Sequence, residues 1–163
     1  MKITFPHLGN TCFAAKAVFD GLGIDYIIPP LSNRRALEIG SFYSPEEICL
    51  PFKIMIGNYI QSIKQGADTI LIVGSCGPCR FGEYCELQMN LLKKLGYNLN
   101  FIVLDYPKDI GLKELMRRLL SIGSGSNKTS IEKLKVVHQG LKIINLMDNI
   151  DKKVKLLSGY EIK

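Results

Sequence analysis

The sequence contains no apolar run that approaches the ~18 residues needed for a membrane-spanning helix. Its first residues also lack the long apolar core of a secretory signal peptide, so we expect a cytoplasmic protein in a reducing compartment. Tryptophan is absent, and no base-stacking aromatic series or RNA-binding signature is present, which argues against nucleic acid as a partner. The residues Gly9-Asn10-Thr11 lack the glycine spacing of a phosphate or dinucleotide loop. The sequence therefore gives no support for binding of nucleic acids or nucleotides.

Five cysteines are the residues that point to chemistry. The number is odd, and a chain of 163 residues with 47% hydrophobic and 22% charged residues can bury a core without covalent staples. A disulfide framework is therefore not expected, and clustered cysteines in a cytoplasmic chain more often bind metal or perform redox chemistry.

The net charge of +6 is placed unevenly. Basic and acidic residues balance as far as Pro107, and the whole excess follows from Lys108 onward. A basic tail can face an acidic partner or form a solvated helix surface, and the second is commoner.

Short apolar runs alternate with helical patterns along the chain, which predicts a doubly wound α/β fold. We expect a four-stranded parallel sheet of the Rossmann or flavodoxin-like type, followed by a C-terminal helical extension. The predicted domain lies at 1–122, a Gly/Ser linker at 123–130 and the extension at 131–163. The strands are predicted at 2–5, 25–28, 69–73 and 100–104.

Local signals predict where several elements begin. Asn10 or Thr11 is expected to cap the first helix. The segment 31–43 reads as a polar connection, and Ser44 with Glu47 as a capping box that opens the next helix. Pro51 predicts a kink or a restarted helix, and Thr129 with Glu132 is expected to cap the last helix.

Cysteines distant in sequence are predicted to meet at one edge of this sheet. Cys12 follows the first strand, Cys49 lies after the second, and Cys76 and Cys79 follow the third. Loops at the carboxyl ends of parallel strands share one edge, where such folds bind ligands. Cys12, Cys49 and Cys85 also fall at or near helix N-termini, which stabilise a thiolate or an anionic cluster.

Four thiolates suit either zinc or an iron–sulfur cluster. Zinc sites usually pair two CxxC motifs, whereas this chain has one and delivers its other cysteines singly, which favours a cluster. A thiol-redox enzyme is a further alternative, in which Cys76 and Cys79 suffice and Cys12 is dispensable. Cys85 is as well explained by a buried structural thiol as by a ligand.

Four further residues have a functional and a structural interpretation. His7 could be a ligand, but a hydrogen-bonded structural histidine is commoner. Arg34 and Arg35 could hold an anion, but such residues are more often solvated charges. Lys53, one turn after Cys49, is similarly ambiguous.

Three motifs resemble those of the 2-hydroxyglutaryl-CoA dehydratase-like family: FPHLGNTC, SPEEICLPFK and GPCRFGEY, the last after a strand and before a helix. The sequence looks most similar to the dehydratase-activase-related (CoA protein activase) group, which includes relatives of double-cubane cluster proteins. The resemblance covers residues 3–108, so this chain would be a single-lobe relative or the N-terminal part of a longer one.

The resemblance implies an oxygen-sensitive 4Fe–4S cluster, with Cys12, Cys49 and Cys79 at the family's ligand positions. Cys76 is the predicted fourth ligand ahead of Cys85, and an iron site open to water or substrate is the alternative. The implied function is low-potential electron transfer or reductive chemistry with an ATP-dependent activator, as part of a 2-hydroxyacyl-CoA dehydratase-type lyase or a reductase. A second dehydratase-like lobe or subunit, or a homodimer, is the other implied partner. A non-catalytic accessory or zinc-binding structural subunit is the competing hypothesis.

Overall fold

The computed structural model describes residues 1–7, 9–74, 84–104 and 111–159. Its sheet has three parallel strands in the order β1-β2-β3, with bounds Ile3–Thr4, Thr69–Val73 and Asn100–Leu104. The register pairs Ile3 with Thr69 at one side and Val73 with Leu104 at the other. The predicted α/β class with a parallel sheet is confirmed.

The segment predicted as the second strand forms a single parallel bridge instead, between Ile3 and Tyr26. The amide of Ile3 donates to the carbonyl of Asp25 at 3.1 Å, and the amide of Ile27 donates to the carbonyl of Ile3 at 2.8 Å. Proline lacks an amide hydrogen, so Pro29 and Pro30 cannot extend this ladder. In place of the predicted four-stranded sheet, the described residues form three strands and one bridge beside β1.

Six α-helices and a short 3₁₀ turn at Gly123–Gly125 occur in the described residues. The helices α1 to α6 have the bounds Thr11–Leu22, Arg34–Tyr43, Leu50–Lys64, Tyr84–Lys94, Leu112–Ile122 and Ser130–Ser158. Within the described ranges, no helix combines the length and the apolar composition that crossing a membrane requires.

Helices cover both faces of the sheet, because alternate strand residues point to opposite sides. Ile70 and Ile72 of β2 pack with α3 and α4 in one core cluster. Leu71 and the β1 residue Ile3 pack with α1, α5 and α6 in the other. The sheet is therefore covered on one face by α3 and α4 and on the other by α1 and α5.

The prediction for residues 31–47 is wrong in two respects. Residues 34–43 form α2 rather than a polar connection, and the side chain of Asn33 caps it by accepting from the amide of Ala36 at 2.8 Å. Ser44 ends α2 instead of opening α3, so the expected capping box does not form. α3 begins after Cys49, with Pro51 in its first turn, as the restarted-helix alternative predicts.

α2 and α3 lie unusually close together. A Cβ at Gly40 would overlap the carbonyl group of Lys53, and a Cβ at Gly57 would overlap the carbonyl group of Ala36. Both positions require the hydrogen side chain of glycine so that the two backbones can approach. The pairing of 40 with 53 and 36 with 57 shows that the two helices run antiparallel.

α6 packs against α1 and also runs antiparallel to it. Val136 of α6 lies opposite Gly21, where an added Cβ would be 2.8 Å from its Cγ1, and Gly140 lies against Val18 and the carbonyl of Ala14. The predicted cap is present: Thr129 accepts from the amide of Glu132, whose side chain accepts from the amide of Thr129. α6 continues for about twelve residues beyond the start of α1, or roughly 18 Å at 1.5 Å per residue.

Candidate metal centre

The carboxyl ends of the three strands define one edge of the sheet, because all three run parallel. β2 is the central strand of the sheet. In the sequence, Cys76 and Cys79 follow its last residue, Val73. We call this side of the molecule the carboxyl edge.

Cys12 lies in the first turn of α1, which begins at the carboxyl edge. Its residue is 8% exposed and belongs to the core cluster that contains Phe5 and Phe19. Burial raises the pKa of the Cys12 thiol, and the nearby ammonium of Lys16 partly opposes this. Asn10 precedes the helix, but its side chain makes no capping hydrogen bond. The thiol is thus held in an apolar environment at a helix N-terminus.

Cys49 occupies the N-cap position of α3 and is exposed. Its side chain makes no capping hydrogen bond, while its carbonyl accepts from the amide of Lys53 at 3.4 Å. The Lys53 ammonium donates to the carbonyl of Glu46 at 2.9 Å. Lys53 therefore holds the loop between Ser44 and Cys49 in place, which is a structural role.

A cavity of about 170 Å³ joins the loop after β1 to the start of α3. His7 and Ser32 line it on one side, and Leu50 and Pro51, directly after Cys49, line it on the other. The loop after β1 and the start of α3 are therefore neighbours, and the meeting of Cys12 with Cys49 stays a prediction.

Cys85 has a different environment, in the first turn of α4. Its sulfur lies 3.8 Å from the sulfur of Met89, and it packs against the core cluster of α3 and α4. The fully buried Tyr59 has a pKa raised by desolvation and, to a lesser extent, by Cys85. These contacts are those of a core thiol.

Cys76 and Cys79 lie at 75–83, outside the described residues, as do Arg80 and the glycines of that loop. Among the residues that are described, no three His, Cys, Asp or Glu side chains are grouped in a way that could hold a metal ion. Any metal centre at this edge therefore depends on the loop after β2.

The arginines considered as an anion clamp lie on α2. Arg34 is 92% exposed and pairs with Glu38 one turn later, at 2.9 Å. Arg35 is exposed as well. Their environment is that of solvated helix charges.

Exposed apolar side chains surround the carboxyl edge, a feature that the sequence reasoning missed. Apart from Met1, the exposed large hydrophobic residues of the described ranges lie either on α6 or near this edge. We call the second group the apolar collar: Phe13, Ile28, Leu31, Phe42, Tyr43, Leu50, Leu87 and Leu112. A sequence signal exists, because Phe13, Leu50 and Leu112 lie in first helical turns but off the buried stripe of each helix.

The collar includes aromatic side chains that are mostly exposed to solvent. Phe42 is 80% exposed, and its ring contacts that of Tyr43 edge-on, with ring centroids 4.9 Å apart. An exposed aromatic pair such as Phe42 and Tyr43 is a candidate contact for a partner, because large exposed apolar patches mark binding surfaces. The carboxyl edge therefore has two cysteines at helix starts within an apolar surround.

Comparison of the chain with models of known protein families, with curated proteins and with solved structures finds no match.

Proposed function

We propose that this chain is an iron–sulfur redox protein that holds a 4Fe–4S cluster at the carboxyl edge. The ligands in this proposal are Cys12, Cys49 and Cys79, with Cys76 as the fourth. The observation that supports it most directly is the placement of Cys12 and Cys49 at two helix starts beside the end of the central strand. The loop from that strand would supply the remaining thiolates.

The surroundings of the cysteines suit an anionic cluster. Peptide dipoles at the starts of α1 and α3 favour negative charge at the two sulfurs. Cys12 is buried among apolar side chains, and a low-dielectric wall limits the access of water. The motifs shared with the 2-hydroxyglutaryl-CoA dehydratase-like family support the same ligand set.

When bound, such a cluster would supply one-electron transfer at low potential. The protein's own residues would position it: α1 and α3 fix two thiolates, and Lys53 fixes the loop before Cys49 through the carbonyl of Glu46. The apolar collar supports a role in which a protein partner covers the edge. In this proposal the partner is an ATP-dependent activator that delivers electrons, or a second dehydratase-like lobe, subunit or copy.

A non-catalytic accessory subunit is the second candidate, with zinc or a cluster in a structural role. The observation that favours it is α6, whose last turns carry exposed apolar residues, including Leu157 at 81% exposure. In this role the chain would deliver or stabilise a partner of a dehydratase or activase complex without turning over a substrate itself.

Metal analysis of anaerobically purified protein tests the proposal. We expect a brown protein with about four irons per chain and a matching amount of sulfide. Changing Cys12, Cys49 or Cys79 singly to serine should abolish most of the iron. Cys85→Ser is the matched control and should keep it, because Cys85 packs in the core.

Two results would contradict this function. A colourless protein with one zinc per chain would establish the zinc alternative. Full iron content in Cys12→Ser and Cys49→Ser, with loss only in Cys76→Ser or Cys79→Ser, would indicate a site confined to the CxxC loop.

A further result would identify the fourth ligand. If the Cys76→Ser protein retains three irons per chain, Cys76 is the ligand of the fourth iron.

A further inference from the structure

A cavity of about 350 Å³ lies between α1, the sheet, α5 and α6, on the face opposite α3 and α4. The space is open to solvent on one side, where its lining residue Leu141 is 55% exposed, so it is a deep groove rather than an internal void. An engineered cavity of about 150 Å³ is already enough to bind benzene. The groove beside α1 has more than twice that volume, so it is a candidate binding site.

The lining defines what can occupy the space. Among the described residues, it is formed by aliphatic side chains, Phe19, alanines and Gly140, and its one polar side chain is that of Thr11. None of these described residues is charged. A group bound there would find almost no hydrogen-bonding partners, and burying an unpaired polar atom is costly. The occupant must therefore be a hydrocarbon.

The shape favours a chain over a compact ring system. The lining extends along α1 from Thr11 to Leu22, which corresponds to roughly 16 Å of helix. Along α6 it extends from Val137 to Ile144. A volume of this size spread over most of a three-turn helix makes a narrow, elongated space.

One end of the cavity reaches the carboxyl edge, because Thr11 is the first residue of α1. A polar head group would remain in water at that end, while the chain enters between α1 and α6. We propose that this cavity binds the hydrocarbon chain of a single-chain amphiphile, with its head group at the carboxyl edge. The proposal does not depend on a metal centre, since none of the three described cysteines lines the cavity.

A series of straight-chain carboxylates from six to eighteen carbons tests this, with the full-length protein and each probe below its critical micelle concentration. Affinity measured by calorimetry should rise about fourfold per added methylene while the chain is being buried. At about 25 Å³ per carbon, the ratio for benzene in its cavity, the rise should stop near roughly fourteen carbons.

Replacing each of two alanines of α1 by phenylalanine tests whether the probe binds in the cavity. Ala15 lines the cavity and Ala17, on the same helix, does not. Ala15→Phe should weaken dodecanoate binding at least tenfold, whereas Ala17→Phe should bind as the wild type does. Val137→Phe fills the cavity from α6 and should reproduce the loss if Ala15→Phe does not fold, as judged by circular dichroism.

Three outcomes would overturn the proposal. The first is no binding at any chain length. The second is affinity that keeps rising through eighteen carbons, which indicates adsorption on an open surface. The third is equal binding by the Ala15→Phe and Ala17→Phe proteins, which would place the probe elsewhere, such as on the exposed apolar residues of α6.

Discussion

Replacing Gly40 by alanine tests the close approach of α2 and α3. The new Cβ would overlap the carbonyl group of Lys53, and even the Cα of Lys53 would lie only 3.0 Å away. The obstacle is backbone, so rotation of a side chain cannot relieve it. Since carbon and oxygen atoms pack at about 3.3–3.6 Å, the helices would have to separate by roughly 1–2 Å.

The expected loss follows from two opposing effects. Alanine in place of glycine favours the helix by about 1 kcal/mol. Against this, overpacking costs about 1–3 kcal/mol, and a gap of ~0.5–1 Å already forfeits a quarter to a half of each dispersion contact. Because the whole α2–α3 face would open, we expect the free energy of unfolding to fall by about 2 kcal/mol. For a chain of this size, that lowers the midpoint of thermal unfolding by roughly 4–8 °C.

Thermal and urea unfolding followed by circular dichroism measure this change. Ser41→Ala is the matched control, because Ser41 is exposed on the same helix and reports only the helical propensity. The control should be neutral or slightly more stable. A Gly40→Ala protein as stable as the wild type would refute the close backbone contact. Under the proposed function, anaerobically prepared Gly40→Ala protein should also hold less iron, since Cys49 is the N-cap of α3.

Two further predictions concern α5 and α6. Hydrogen bonds from Arg117 and Arg118 lower the pKa of Glu114 to about 2, from 4.5. The ionised Glu114 carboxylate therefore stabilises the folded protein fully above pH 4.5, and this stabilisation is lost as the pH falls toward 2. Urea unfolding should show that the difference in unfolding free energy between the wild type and Glu114→Gln shrinks over that pH range. Thr129→Ala should cost about 1 kcal/mol by removing the cap of α6, whereas Ser130→Ala should not; equal losses would contradict the capping role.

The elements with large periodic apolar residues were predictable from the sequence. β2 is a short apolar run and has the bounds predicted for it, 69–73. α3 carries Phe52, Ile56 and Tyr59 on one buried face, but it begins at Leu50, six residues after the predicted cap Ser44. The capping pair Thr129 and Glu132 marked the start of α6 correctly, because this signal is local and needs no tertiary partner.

α2 was missed because its buried face consists of Ala36 and Gly40. Such small residues give no hydrophobic periodicity, and glycine disfavours a helix by about 1 kcal/mol relative to alanine. What stabilises α2 is the close backbone packing against α3, a tertiary effect that local patterns do not encode. The role predicted for Ser44 was wrong as well: because α2 was not recognised, Ser44 was expected to begin a helix, whereas it ends α2.

The convergence of the four predicted cysteine ligands stays a prediction, because Cys76 and Cys79 lie outside the described residues. Parallel strands place the starts of α1 and α3 at one edge, and the cavity shared by His7 and Leu50 agrees with this. The apolar collar was not predicted, because exposed and buried leucines look alike in a sequence until the buried face of each helix is known.

The extension of α6 beyond α1 has a consequence for how any partner reaches the carboxyl edge. Residues of α6 that follow Gly140 at heptad spacing, Ile143, Met147, Ile150 and Val154, continue the face that packs on α1. This part of α6 extends past the start of α1 on one side of the carboxyl edge. A partner that binds at the edge would meet α6 on that side, so its approach from that direction would be blocked.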